Sequence, residues 1–247
     1  MTIGRREFLV GTGLTVASAA LGRPIRSCLG GEKRESKVID GPYDAEVEYL
    51  ESTGTQYLDT GVYGNALTAA ICSWSYRDAQ SGAIPFGSRT SATSKAFAIT
   101  GWSTPATKDL YFNFSTRPGY LEYLGEDVYA HKWECRAGQG GSWLKKDGVT
   151  VDSNSASVPS FTTEKPILLF GMWRDVIISK TDGMRIEAFS LYNNNTLVRD
   201  MIPVRVGTEG AMYDRLGTGG MNPDGSARTD GLYRNRGTGA FVIGPDK

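Results

Sequence analysis

RIEAFSLYNNNTLVRDMIPV, residues 185–204, holds two long strand-like runs on either side of a three-asparagine turn. Asn193, Asn194 and Asn195 tolerate the positive φ that a tight hairpin demands. In the first run Ile186 and Ala188 share one parity while Phe189 and Leu191 share the other, so a β-bulge near Ala188 is expected. In the second run Pro203 lacks an N–H, which places that part of the strand at an edge or a bulge. Outward from this hairpin the same period of two recurs. His131-Lys132-Trp133-Glu134-Cys135-Arg136 alternates, with Trp133 and Cys135 toward a core and the three charged side chains toward water. Ile167-Leu168-Leu169-Phe170 is apolar on both faces, as in a central strand covered on both sides. Further strand-like runs cover 46–50, 67–76, 84–87, 96–100, 110–114, 120–124, 142–146, 176–179 and 240–243. Asp147-Gly148 and Asp182-Gly183 are hairpin-turn pairs. No stretch carries a helical period and no repeat is visible. Many short strands separated by turn residues predict an all-β, two-sheet antiparallel sandwich.

Residues 1–21 read as an export signal. Gly4-Arg-Arg-Glu-Phe-Leu9 matches the twin-arginine pattern, an apolar run to Leu21 follows, and Ala17-Ser18-Ala19 suits cleavage. The run is shorter than the roughly 18 residues of a membrane span. Residues 22–45 read as a flexible tether, and residues 46–247 as the sandwich domain. Cys28 lies in the tether behind Ile25-Arg26-Ser27, a poor lipid-attachment context. The chain is therefore expected in the periplasm, at the cell surface or in the medium, without a transmembrane span. It carries 27 basic and 27 acidic residues. A balanced surface with no basic cluster argues against a nucleic-acid partner. Cys72 and Cys135 both fall in strand-like runs; they could form a disulfide in an oxidising compartment, or serve as two small buried apolar residues.

Several strings resemble one family. YLESTGTQYLDTGV at 49–62, the hairpin at 185–204, EGAMYD at 209–214 and the N-x-GTGxFxxGP string from Asn235 to Pro245 occur in order. Together they span residues 49–245. This resembles an exported bacterial family of LamG-like jelly rolls in the concanavalin A-like lectin/glucanase superfamily. The resemblance implies a concanavalin A-like jelly roll and a binding function. One departure is a longer link between Asp214 and Asn235. Its Asn222, Asp224, Ser226 and Asp230 are oxygen donors at loose calcium-loop spacing, or simply a solvated loop; no cofactor is otherwise implied. Within the shared strings Gly54, Gly61, Asp59, Thr60 and Asp214 read as structural, supplying turns and bonding loop N–H groups.

Catalytic chemistry finds little footing. His131 is the single histidine, it opens a strand, and no GxSxG string is present, so neither a Ser/His/Asp set nor a His-based zinc site is supported. The tight ExDxxE repeat of glucanases is missing, although hydrolysis needs two facing carboxylates. Binding is better served, with five Trp and twelve Tyr in the chain. Trp102, Trp143 and Trp173 lie near strand ends or turns, where rings can meet sugar C–H faces, and Arg89, Asn113 and Arg174 could bond hydroxyls. Trp74 and Trp133 lie mid-strand and are expected in the core. The sequence thus predicts a non-catalytic module for a glycan or cell-surface ligand. The alternative is a structural or adhesive protein-interaction domain, and a glycoside hydrolase stands third.

Overall fold

The computed structural model describes residues 41–77, 84–90, 94–104, 107–125, 128–129, 131–174, 177–217 and 219–247, with the side chains at 102–108, 177 and 179–180 outside that description. The signal, most of the tether and Cys28 therefore lie outside the described residues. The chain runs through β1 (Ala45–Glu46), β2 (Leu50–Thr53), β3 (Leu58–Asn65), β4 (Thr68–Tyr76), β5 (Phe86–Arg89), β6 (Ala96–Thr104), β7 (Thr107–Ser115) and β8 (Arg117–Leu124). It continues through β9 (Lys132–Gly138), β10 (Ser142–Lys146), β11 (Val149–Asn154), β12 (Thr162–Leu169), β13 (Gly171–Arg174) and β14 (Ile177–Lys180). The last strands are β15 (Asp182–Asn193), β16 (Thr196–Val206), β17 (Glu209–Asp214), β18 (Leu232–Tyr233) and β19 (Val242–Ile243). No helix occurs among the described residues.

These strands make a two-sheet jelly-roll sandwich. The first sheet runs β11-β10-β9-β4-β15-β16-β17-β18, with β1 beside β16 and β2 between β15 and β19. The second runs β14-β13-β5-β6-β7-β8, and β12 joins β5 to β3. Every pairing between named strands is antiparallel except β13 with β5, which is parallel. Inward side chains of both sheets meet in one core, where Phe86 of the second sheet packs on Phe189 of the first at 5.3 Å between ring centroids. Trp74 and Trp133 are register partners on β4 and β9, stacked at 6.3 Å and fully buried, as their mid-strand positions predict. Phe97, Phe112 and Phe114 form an aromatic cluster under β6 and β7.

The local readings meet the structure in detail. The register of β15 against β4 slips between Ile186 and Ala188, so Glu187 is the extra residue of a bulge. Asn194 and Asn195 turn the β15–β16 hairpin at φ 48° and 61°. Pro203 faces Met212 at a position where β16 gives no hydrogen bond to β17, because Arg215 N donates to Asp200 O and such pairs alternate. On its other side, where the partner changes from β15 to β1, its carbonyl accepts from Val47 N at 3.0 Å. Asp182-Gly183 differs from expectation. The pair lies at the start of β15, at a register slip against β2, and Gly183 serves a bulge instead of a hairpin. The apolar run 167–170 does not end inside one strand, because Phe170 takes φ 61° and breaks β12 from β13. Tyr43 and Ala45, within the stretch read as tether, pack against Tyr213 and pair with Arg205.

Cys72 and Cys135 are register partners on β4 and β9, both buried and both free thiols. Gln139 N donates to Thr68 O, so in this ladder Cys72–Cys135 is a hydrogen-bonded pair. That position holds Cβ atoms toward the wide end of about 4.5–5.5 Å, whereas a disulfide draws them to about 3.5–4.5 Å.

Candidate functional site

The outward face of the second sheet carries a groove of about 320 Å³ lined by Arg89, Thr100, Tyr111, Asn113, Pro118, Gly119 and Glu122. Strand alternation builds it. Phe97 and Ile99 on β6, and Leu110, Phe112 and Phe114 on β7, turn into the core, which leaves Thr100, Tyr111 and Asn113 on the other face. On β5, Phe86 is inward and Gly87 and Arg89 alternate outward. Gly87 permits a close approach, since a Cβ there would lie 2.8 Å from Ala98 Cα and 3.2 Å from Met172 Cβ. Ala98, Met172 and Ile84 form a small apolar cluster of their own at that end.

The polar groups of the groove are fixed by their neighbours. Asn113 Nδ2 donates to Thr100 Oγ1 at 3.3 Å, and its Oδ1 accepts from Gly119 N at 3.2 Å. Tyr111 donates its hydroxyl proton to Asp109 Oδ2 at 2.9 Å. Burial first, and then the Asp109 carboxylate, push the Tyr111 phenol up to about 12, so it stays neutral at physiological pH. Glu122 is held from outside the sheet: its N–H donates to Asp152 Oδ2 at 2.7 Å, and Asn154 Nδ2 donates to Tyr120 O at 2.9 Å. Side chains of β11, an edge strand of the first sheet, thereby satisfy the backbone of β8, an edge strand of the second.

Of the six residues predicted to bind, Arg89 and Asn113 line this groove. Arg174 is exposed on β13 in direct register with Arg89, one strand beyond the lining residues. Trp173 registers with Ser88, so it takes the opposite face of β13 from Arg174. Lys165 Nζ lies 5.3 Å from its ring centroid, and its indole N–H is buried without a hydrogen-bond partner among the described residues. Trp143 is on β10 of the other sheet, with Lys145 Nζ 4.4 Å from its ring centroid. Trp102 pairs through its backbone with Asp109 at the far end of β6, and its side chain lies outside the described residues. Trp143 and Trp173 thus do not converge. Tyr111, Thr100 and Glu122 were missed, although alternation through Leu110, Phe112 and Phe114 already turned Tyr111 outward beside Asn113.

A larger depression of about 560 Å³ on the first sheet is lined by Glu48, Tyr49, Ser73, Lys132, Glu187, Ala188 and Lys247. Two of its charges are turned on one another. Glu187, aimed outward by the bulge, pairs with Lys132 at 2.6 Å and accepts the Ser73 hydroxyl at 3.2 Å. Arg185 covers the Tyr49 ring at 4.4 Å.

The longer link between Asp214 and Asn235 does not hold its oxygens open. Asp230 pairs with Arg228, Asn222 Oδ1 accepts from Arg228 Nη1 at 2.8 Å, and Asp224 Oδ1 accepts from Ser226 N and Oγ. The Arg228 guanidinium thus engages both Asn222 and Asp230. Among the described residues no group of three or more His, Cys, Asp or Glu gathers to hold a metal. The sole histidine, His131, pairs with Asp147 at 2.6 Å at the turn of the β10–β11 hairpin.

The shared sequence strings meet in a buried seam. Asp59 accepts from Arg236 at 2.6 Å and from Gly61 N at 2.9 Å. Arg199 Nε donates to Thr60 O at 3.2 Å, and Gln56 Nε2 donates to Ala240 O at 2.9 Å. Asp214, wholly buried, accepts from the N–H groups of Asp200 at 2.9 Å and Leu216 at 3.2 Å. These contacts close the start of the domain on its end.

No protein-family model matches the chain, and no curated protein matches it. Among solved structures it is similar to the Ruminococcus gnavus IT-sialidase CBM40 bound to alpha2,3 sialyllactose, at 12% identity over 59% of this chain and 89% of that one, with a TM-score of 0.39. It is also similar to mouse laminin alpha1 chain domains LG4-5, at 10% identity over 65% of this chain and 45% of that one, with a TM-score of 0.39.

Proposed function

We propose that this protein is an exported, non-catalytic carbohydrate-binding module that takes its ligand in the groove on the outward face of the second sheet. One observation carries the reading: Arg89, Thr100, Tyr111, Asn113 and Glu122, from four adjacent strands, border one open groove of about 320 Å³. An aromatic ring beside a fixed amide and fixed hydroxyls, with a guanidinium at one end and a carboxylate at the other, is the inventory that sugar recognition uses. Glu122 is the one carboxylate among those lining residues, and glycoside hydrolysis needs a facing pair. Membership of the LamG-like exported family rests on the strings at 49–62, 185–204, 209–214 and 235–245. Export rests on the signal pattern at 1–21. Fusing that segment to a reporter, with and without Arg5 and Arg6 replaced by lysine, tests the route; a reporter exported equally well by both removes the twin-arginine assignment.

The binding test is a broad glycan array followed by titration calorimetry. Asn113→Ala and Tyr111→Ala should lose binding, and Trp143→Ala, on the other sheet, should keep it. Binding by no glycan, or a ligand lost with Trp143→Ala and kept with Asn113→Ala, rejects the reading. A second reading, a protein-docking module, draws on Leu124 and Val149, each 66% exposed at the end of β8 and the start of β11. A partner whose binding survives Asn113→Ala and fails with Val149→Asp would favour it.

A further inference from the structure

The groove is polar in one direction across the strands. At its β5 end stands Arg89, and Arg174 on β13 lies in direct register on the same face. Registered residues of neighbouring strands are about 4.8 Å apart at the backbone, so two guanidinium stems rise side by side there. In the middle, the contact to Thr100 uses one hydrogen of Asn113 Nδ2 and leaves the second hydrogen as a donor. Thr100, accepting that bond, keeps its own O–H to give. Beside Asn113 on the same strand, Tyr111 donates its O–H to Asp109, so its oxygen meets the groove as an acceptor. At β8 the chemistry reverses. Glu122, the last lining residue, is an acceptor in its ionised form.

A neutral pyranose presents hydroxyls, each both donor and acceptor, around its whole rim, and gains nothing from such a gradient. A sugar with a carboxylate at one end and hydroxyls at the other matches it, because a planar guanidinium fork bonds a carboxylate in bidentate fashion. We infer, resting on the carbohydrate reading above, that the ligand is an acidic sugar, with its carboxylate at the Arg89–Arg174 end and its hydroxyls toward Tyr111 and Glu122. Two sources share this chemistry, hexuronates and sialic acids.

The test is titration calorimetry of the whole protein with two matched pairs: trigalacturonate against its methyl ester, and 3′-sialyllactose against lactose. The acidic member of one pair should bind about ten- to a hundredfold tighter than its neutral counterpart, the range for a charge-assisted hydrogen-bonded contact. The pair that shows the difference identifies the source. Arg89→Gln should erase it. Should that variant unfold, the exposed Arg174→Gln should still narrow the difference about threefold. Equal binding of acid and neutral partner in both pairs, or a difference that survives both arginine variants, overturns the acidic assignment and leaves glycan binding standing. So does an array on which only neutral glycans bind. If no glycan binds at all, the carbohydrate reading falls together with this one.

Discussion

Replacing Asp214 by alanine should cost about 3 kcal/mol of stability without touching the ligand groove. Its carboxylate has no exposed surface. Oδ1 accepts the N–H of Asp200 at 2.9 Å and of Leu216 at 3.2 Å, and Oδ2 lies 3.9 Å from Arg199 Nε. Hydrogen bonds to a charged group contribute about 1.5–3 kcal/mol each, and two that share one acceptor do not add fully, which gives the figure of about 3. In a domain of this size that lowers Tm by about 6–12 °C. Asp214→Asn separates geometry from charge. It keeps a carbonyl oxygen for both N–H groups but makes the bonds neutral, roughly half as strong, so about 1–1.5 kcal/mol should be lost. The assay is urea unfolding followed by tryptophan fluorescence, with the buried Trp74–Trp133 pair as reporter and an unchanged m-value as the check on two-state behaviour. A loss below about 1 kcal/mol for alanine, or an asparagine variant as damaged as the alanine one, would refute the account of this seam. Loss of glycan binding by a folded Asp214→Asn protein would refute its separation from the groove.

Three further outcomes follow from the same geometry. Gly87→Val places a side chain against Ala98 and Met172; overpacking of this kind costs about 1–3 kcal/mol, measurable as a lower urea midpoint, and a variant of unchanged midpoint would show that the floor is looser than described. The raised Tyr111 phenol means that the folded state holds its proton longer than the unfolded chain does. Its contribution to stability is therefore complete below about pH 10, the unfolded value, and is lost as pH rises through about 12. NMR of the Tyr111 ring should show late ionisation and an earlier midpoint in Asp109→Asn; identical midpoints would remove Asp109 as a cause. Burial pushes both the Cys72 and Cys135 thiols up, so alkylation of the native protein should spare them. Denaturant without reductant should then expose both to modification; a bridged pair would need the reductant as well.

How much of this was legible in the sequence depends on how local the cause is. The bulge at Glu187, the Asn194-Asn195 turn and the burial of Trp133 each follow from period-two alternation or from one residue's backbone preference, and the sequence shows both directly. Asp182-Gly183 carries the same turn signal as Asp147-Gly148, yet only the second closes a hairpin. At Asp147 the flanking runs pair with each other; at Asp182 the following strand pairs with β2, a segment some 130 residues earlier. That partner is a tertiary fact. The groove divides in the same way. That Tyr111 and Asn113 face outward is a property of β7 alone. That Arg89 shares their face depends on β5 lying beside β6, and that Arg174 stands next to Arg89 depends on a parallel pairing formed after the chain reverses at Phe170. Tryptophan count was a poor guide because sheet membership decides which rings can share a ligand, and Trp143 and Trp173 ended on different sheets. The shared strings read as structural in the sequence, and the contacts of their polar residues in the structure are internal ones. They are rich in Asp, Arg and Gly, the residues of a binding site, yet Asp59, Thr60, Arg199 and Asp214 are engaged with one another and with backbone groups. A ligand needs polar groups with valences still open toward water; the second Nδ2 hydrogen of Asn113 and the O–H of Thr100 are two such groups, and both lie on strands between the strings.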